Sequence, residues 1–445
     1  MLRFVREAGF LILAVASSGM AAETNVRPVT DGLPASIYKY AALPDPVFSW
    51  KVISEKEIPG VGKVTELELT SQTWQSIVWK HVLMVYEPAK IDHAEHMLLF
   101  VTGGSHGRKP SEGDQLGQLQ LAMLCRAPVA TLHQVPNQPL FGDRVEDDLI
   151  TETWLKYLET GDDTWPLLFP MVKSAVRAMD ALQQFSVEKR ERPVKGFVIT
   201  GASKRGWTSW LTPVVDKRII ATAPIVIDVL NFGEQMKQQK ATWGFYSEQI
   251  ADYTSKGLVE EDGLPKGERE EALWKMMDPY TYRETLTLPK LMIVGTNDRY
   301  WIVNAMNIYW KDLVGPRYAL HVPNAGHDLK GGRDKALATL AVFFRHAARG
   351  ESMPQVEWQA SQVAEGVKLD VRSKPAAESI HIWTATSDTQ DFRESTWTSQ
   401  KLDSKDGAAV GVATVPAGKR LATFIEFRFD DDGTPFSLTS LVHRD

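Results

Sequence analysis

Six stretches of this chain are apolar at nearly every position, and most end in glycine or a chemically active polar residue. Met97 to Val101 runs into Gly103, Gly104 and Ser105. Pro128 to Leu132 is a second run. Gly196 to Ile199 leads to Ser203, Ala223 to Ile227 to Asp228, Leu291 to Val294 to Asp298, and Tyr318 to Val322 to His327. A strand with one wet face alternates apolar and polar residues, whereas a strand covered on both faces is apolar throughout. Helical spacing lies between these runs. Leu167, Leu168, Met171, Val172, Ala175, Val176, Met179 and Leu182 share a helical face, with Lys173, Arg177 and Asp180 opposite; Ala336, Leu337, Leu340, Ala341 and Phe344 repeat the pattern. Strand alternating with helix predicts an α/β fold, a mostly parallel sheet with helices on both faces. Ligands of such sheets sit beyond the carboxyl ends of the strands, where the polar residues above gather.

The flanks read differently. Val52 to Ile58, Val64 to Thr70 and Ile77 to Tyr86 alternate with period two, as antiparallel strands do, with Pro59 to Gly62 as a turn. Beyond Gly350 and Pro354, period-two runs return at Val356 to Ala360, Val367 to Val371, Ile380 to Trp383 and Ala422 to Phe427, predicting a separate β-sandwich over 355–445. No catalytic cluster stands out in it, so binding or stabilisation is its expected role. The α/β domain is expected over 23–350, with insertions near 137–166 and 231–288. Their tryptophans and tyrosines suit either a cap over a pocket or ordinary surface helices, and the cap is preferred.

Residues 1–22 have the form of an export signal: Arg3 and Arg6, a short apolar core from Phe10 to Ala16, then small residues up to Ala21 and Ala22. The core is too short for a permanent membrane span, so a periplasmic or secreted protein without stable membrane insertion is expected. Net charge is -6, and no basic stripe interleaves with aromatics, which argues against nucleic acid as a partner. Cys125 is the only cysteine; its apolar helical surroundings predict a buried, inert thiol. His93 and His96 lack the company of a zinc motif, so neither a metal nor a cofactor is expected.

A serine hydroxyl becomes a nucleophile when a histidine takes its proton and a carboxylate fixes that imidazole. Here serine, acid and histidine follow three strands in the order Ser203, Asp298, His327, the order of α/β-hydrolases. Gly201 lies two residues before Ser203. Gly206 lies three after it, where the usual motif has glycine two after; Arg205 takes that place. Asp298 is the preferred acid and Asp228 the alternative. The backbone N–H of Lys204 and one from Gly104 or Ser105 are the expected oxyanion donors. Arg205, Trp207 and Trp301 are candidate substrate contacts. Lys204 and Arg205 suit a substrate carboxylate, but pairing with Glu146, Asp147 or Asp148 is preferred.

Several ordered segments carry a family resemblance: Thr70 to Trp74, Thr102 to Ser105, Trp165 to Leu168, Thr200 to Trp207, Ala223 to Asp228, Asp278 to Tyr280 and Pro323 to His327. Together they resemble the PhoPQ-activated pathogenicity-related proteins, from about Tyr38 to the C-terminus. The resemblance implies an α/β-hydrolase domain, an Ig-like C-terminal domain, bacterial export, and a link to resistance against cationic antimicrobial peptides. It also implies distant kinship with secreted eukaryotic proliferation repressors. The resulting expectation is an exported serine hydrolase acting on a small-molecule or peptide substrate through an acyl-enzyme at an ester or peptide bond. The alternative is a non-catalytic binding or signalling protein on the same scaffold.

Overall fold

The computed structural model describes residues 25–445; the export-signal reading falls outside that range. Nine strands form one sheet: β1 (Ser49–Ile58), β2 (Gly62–Trp74), β3 (Ile77–Pro88), β4 (His96–Val101), β5 (Val129–Leu132), β6 (Gly196–Ala202), β7 (Ile219–Ile225), β8 (Lys290–Gly295) and β9 (Arg317–Val322). Their order is β1-β2-β3-β5-β4-β6-β7-β8-β9. The first three pair as antiparallel neighbours, β5 joins β3 antiparallel, and β5 through β9 are mutually parallel.

The continuous apolar runs are explained by two cores, one on each face. Met97, Leu99 and Val101 enter one core and Leu98 the other; Phe197 and Ile199 divide from Val198 in the same way. The helices are α1 (Ser36–Ala42), α2 (Glu112–Cys125), α3 (Glu146–Thr160), α4 (Leu168–Arg190), α5 (Lys204–Val215), α6 (Phe232–Trp243), α7 (Ala251–Ser255), α8 (Glu268–Met277) and α9 (Arg333–Arg349). α4 and α5 cover the first face, and α2 and α9 the second. Cys125 is fully buried in the second core, and burial pushes its thiol pKa up. Among the described residues, no helix is long and apolar enough to cross a membrane.

One strand differs from its sequence reading. The run Ala223 to Ile227 was expected to carry the strand up to Asp228, but β7 ends at Ile225. Val226 has φ 46°, a left-handed conformation that a β-branched residue adopts only under constraint. The chain therefore leaves the sheet before Asp228.

α9 stops at Gly350, in the left-handed conformation usual for such an end. Two antiparallel sheets follow. One contains β10 (Gln355–Val363), β11 (Gly366–Lys374), β14 (Ser404–Lys405) and β15 (Ala408–Thr414). The other contains β12 (Ser379–Ser387), β13 (Thr398–Leu402), β16 (Arg420–Asp431), β17 (Thr434–Thr439) and β18 (His443–Arg444). This sandwich shares the second core: Phe343 and Phe344 of α9 cluster with Phe436 and Leu438 of β17. Arg345, 1% exposed, crosses the seam. It donates to Asp431 Oδ2 at 2.7 Å and to the Leu124 carbonyl at 2.9 Å. Removing one member of a buried ion pair strands the other charge. Asp431→Ala should therefore cost about 3–5 kcal/mol, read as a lower midpoint in chemical denaturation.

Candidate active site

β6 runs into α5 through a sharp turn at Ser203, whose backbone holds φ 56° and ψ -126°. The turn is possible because glycines on either side admit close neighbours. A Cβ on Gly201 would fall 2.7 Å from the Arg205 carbonyl oxygen, and one on Gly206 would fall 2.6 Å from Ile227 Cγ2. The displaced glycine thus still serves the turn, one residue later than usual. Position 205 meets no such restriction. Its side chain lies over Gly103, where a Cβ would come within 2.5 Å of Nη2.

Asp298 follows β8 and His327 follows β9. His327 Nδ1 is 2.8 Å from Asp298 Oδ2. The other oxygen, Oδ1, accepts the Tyr300 N–H at 2.9 Å. The two loops are also tied by backbone: Asn297 N–H donates to the Ala325 carbonyl at 2.9 Å and Thr296 N–H to that of Val322 at 3.0 Å. The Tyr300 ring packs against the imidazole, tilted by 34° with ring centroids 4.4 Å apart. His327 Nε2 is buried and has no protein partner. Ser203 and His327 line the same cavity, with Trp207, Ile227, Phe232, Tyr253 and Trp301 among its other walls. The free volume is about 30 Å³, roughly the space of one water.

Asp228 does not reach the imidazole. Its Oδ1 accepts the hydroxyl hydrogen of Tyr309. Burial pushes its pKa up to about 7, the Tyr309 hydrogen bond opposes the rise, and the Asp298 charge adds to it.

The insertions close the cavity. Asp147, at the start of α3, sits 2.9 Å from Lys204 Nζ. It also accepts the Tyr253 hydroxyl at 3.1 Å and the Tyr300 hydroxyl at 3.3 Å. Beside it, Glu146 takes both Arg205 Nη groups at 2.7 Å. The preferred reading of Lys204 and Arg205 as structural partners of this acidic segment matches the geometry. Phe232 and Tyr253 come from the second insertion, so both insertions contribute walls.

Other predicted residues divide. Trp207 lines the cavity, but its indole N–H is taken by the Met277 carbonyl at 2.7 Å. Trp301 lines it with a buried N–H that has no acceptor. Lys204 opens α5, where the first N–H groups lack intrahelical acceptors. Gly104 borders a separate groove together with Arg205 and Glu146. Ser105 is exposed and bridges to Gln138. Neither is brought to the cavity of Ser203. Tyr300 was missed: a tyrosine two residues past Asp298 carries no sequence signal, because its role comes from folding back over His327.

A strand-turn-helix serine, an acid–imidazole pair at the next strand ends and a mixed sheet covered on both faces define a protein of the α/β-hydrolase fold. The acetyl xylan esterase of Paenibacillus sp. R4 superposes with a TM-score of 0.50 at 11% identity, covering 69% of this chain and 92% of that one. Acetyl xylan esterase 1 of Thermoanaerobacterium sp. JW/SL YS485 gives 0.47 at 15%, covering 72% and 95%. Autocrine proliferation repressor protein A of Dictyostelium discoideum is 32% identical over 334 residues, spanning 72% of this chain and 66% of the relative. The family described as PhoPQ-activated pathogenicity-related protein matches residues 37–393. This chain belongs to that family.

The Glu146–Arg205 pair makes a pH prediction. Burial opposes ionisation of Glu146, but the hydrogen bonds and charge of Arg205, with Lys204 nearby, hold its pKa down at about 2. An unfolded glutamate titrates at about 4.3. The pair therefore contributes stability above that pH and loses it as pH falls toward about 2. Thermal melts should show Glu146→Gln less stable than wild type near neutrality, with the gap closing progressively below about pH 4.

Proposed function

We propose that this protein is an exported serine hydrolase that cleaves an ester or peptide bond through an acyl-enzyme. The observation that carries the reading is the shared cavity of Ser203 and His327, with Nδ1 of the imidazole held by Asp298 and Nε2 left free. In the proposed reaction, Nε2 takes the Ser203 proton as Oγ attacks the substrate carbonyl. His327 then gives that proton to the leaving alcohol or amine, and water releases the acyl group by the same steps in reverse. Asp298 keeps the imidazole in the tautomer that leaves Nε2 able to accept. The Lys204 N–H and the unpaired indole N–H of Trp301 are the donors available to a substrate oxygen. The cavity admits little more than water as it stands, so substrate entry requires the start of α3, held through Asp147, to move aside. Export, which rests on the form of residues 1–22 and on the family resemblance, and a link to cationic-peptide resistance, which rests on the resemblance, belong to the same proposal.

Fluorophosphonate labelling of purified protein tests the nucleophile. Wild type should label and Ser203→Ala should not, and turnover on any accepted ester should fall ~10⁴-fold or more. A well-folded wild type that resists the probe would favour a non-catalytic binding protein. The acid is tested separately: Asp298→Asn should lower kcat by orders of magnitude, while Asp228→Asn should leave most of it. The reverse ranking would show that the wrong carboxylate has been assigned.

A further inference from the structure

A second groove, of about 420 Å³, lies across the Glu146–Arg205 pair from the Ser203 cavity. Its volume is within the range of small-molecule sites. Four side-chain atoms of its lining residues are buried and have no hydrogen-bond partner within the protein: Tyr86 Oη, Gln118 Oε1, Thr131 Oγ1 and His133 Nε2. Tyr86 is 0% and Thr131 1% exposed. Both lie on the α2 side of the sheet, on adjacent strands in which Met84 pairs with Thr131 and Tyr86 with Val129. The exposed rim carries Gly104, Arg108 and Lys109. A buried polar group left unsatisfied costs about 1–3 kcal/mol, and native proteins rarely concentrate several in one place.

We propose that this groove binds a neutral, hydroxyl-rich ligand, a sugar residue, on the groups of Tyr86, Gln118, Thr131 and His133. The pattern of the floor selects that chemistry. Two hydroxyls can donate or accept, the glutamine oxygen accepts, and an imidazole nitrogen completes the set. Burial lowers the His133 pKa to about 4, so the ring is neutral at neutral pH. Ligand hydroxyls, which also donate and accept, match all four. A phosphate or carboxylate would face the Gln118 oxygen and the Asp114 carboxylate, while Arg205 and Lys109 are already engaged by Glu146 and Glu66. An apolar ligand would leave all four atoms unsatisfied. The site is independent of whether Ser203 is catalytic, although it adjoins the nucleophile through consecutive residues, Lys204 facing one space and Arg205 the other.

Calorimetric titration of the full chain with D-glucose, D-galactose, D-xylose and N-acetylglucosamine tests the proposal, with cellobiose added to separate a free sugar from a chain end. Saturable binding of at least one is expected. Thr131→Val and Tyr86→Phe should each weaken it about tenfold, the worth of one hydrogen bond. Unliganded melting temperatures should not fall, because each variant deletes an unpaired buried group. Gln118→Leu, on a partly exposed helix, provides the same readout should either core variant fail to fold. Arg108→Ala should leave sugar affinity unchanged. Absence of saturable binding by every sugar, undiminished binding in the variants, or displacement of the sugar by inorganic phosphate or acetate would overturn the proposal.

Discussion

The turn at Ser203 is the constraint around which the half of the molecule that holds the cavity is arranged. A serine at φ 56° and ψ -126° stores strain, typically of order 1–3 kcal/mol at such positions. It persists because both sides are rigidly held. β6 is central in the sheet, and every residue of α5 is buried. The helix must pack close against β7, and Gly206 provides the contact, facing the carbonyl of Ile225 and the side chain of Ile227. With that approach made at 206, position 205 is released to carry a long cation. Arg205 then anchors the first insertion through Glu146, and Lys204 does so through Asp147. The departure from the usual glycine spacing and the ionic closure of the cavity are therefore one structural decision.

The other half of the site depends on the sandwich. Asn297, next to the acid, donates to the carbonyls of Arg393 at 3.1 Å and Ser395 at 2.7 Å. Asn324, three residues before His327, exchanges two hydrogen bonds with the backbone of Trp397, at 2.9 and 2.7 Å. Arg299 is paired with Glu394 as well. A single loop of the sandwich thus grips both loops that carry Asp298 and His327. A site held to sub-ångström tolerance needs such outer support, and loops alone supply little of it. The C-terminal domain thus holds the loops of Asp298 and His327 by hydrogen bonds between its own backbone and the side-chain amides of Asn297 and Asn324.

Much of this was legible in the sequence where one physical cause dominates. Strands buried on both faces have one composition, so all six apolar runs marked strands, and Ser203 and His327, which follow two of them, line one cavity. The miss at Ala223 to Ile227 came from reading hydrophobicity as strand: Val226 and Ile227 are buried, but they pack in the exit from the sheet. The sequence reading does not include β13, β15 and β17, whose few large apolar residues stand among Ala, Gly, Ser, Thr, Gln and Lys and give little alternation. Gly104 and Ser105 illustrate another limit. A glycine pair after a strand was read as an oxyanion turn, yet the Arg205 side chain and Glu146 stand with it in a different groove. No local pattern reveals where a long side chain from elsewhere will lie.

The two aspartates were the hardest to separate, since each follows a strand and each is buried. The separation comes from what surrounds them. Asp298 is met by an imidazole and a backbone N–H. Asp228 is met by a tyrosine hydroxyl alone and by the field of Asp298. Burial pushes the Asp228 pKa up to about 7; the Tyr309 hydrogen bond opposes the rise and the Asp298 charge adds to it. That difference in partners sets the Asp298 carboxyl group, and not that of Asp228, against the His327 imidazole. Asp228 instead takes the Tyr309 hydroxyl, a hydrogen bond that ties down the segment after β7 from which Ile227 and Val229 line the cavity.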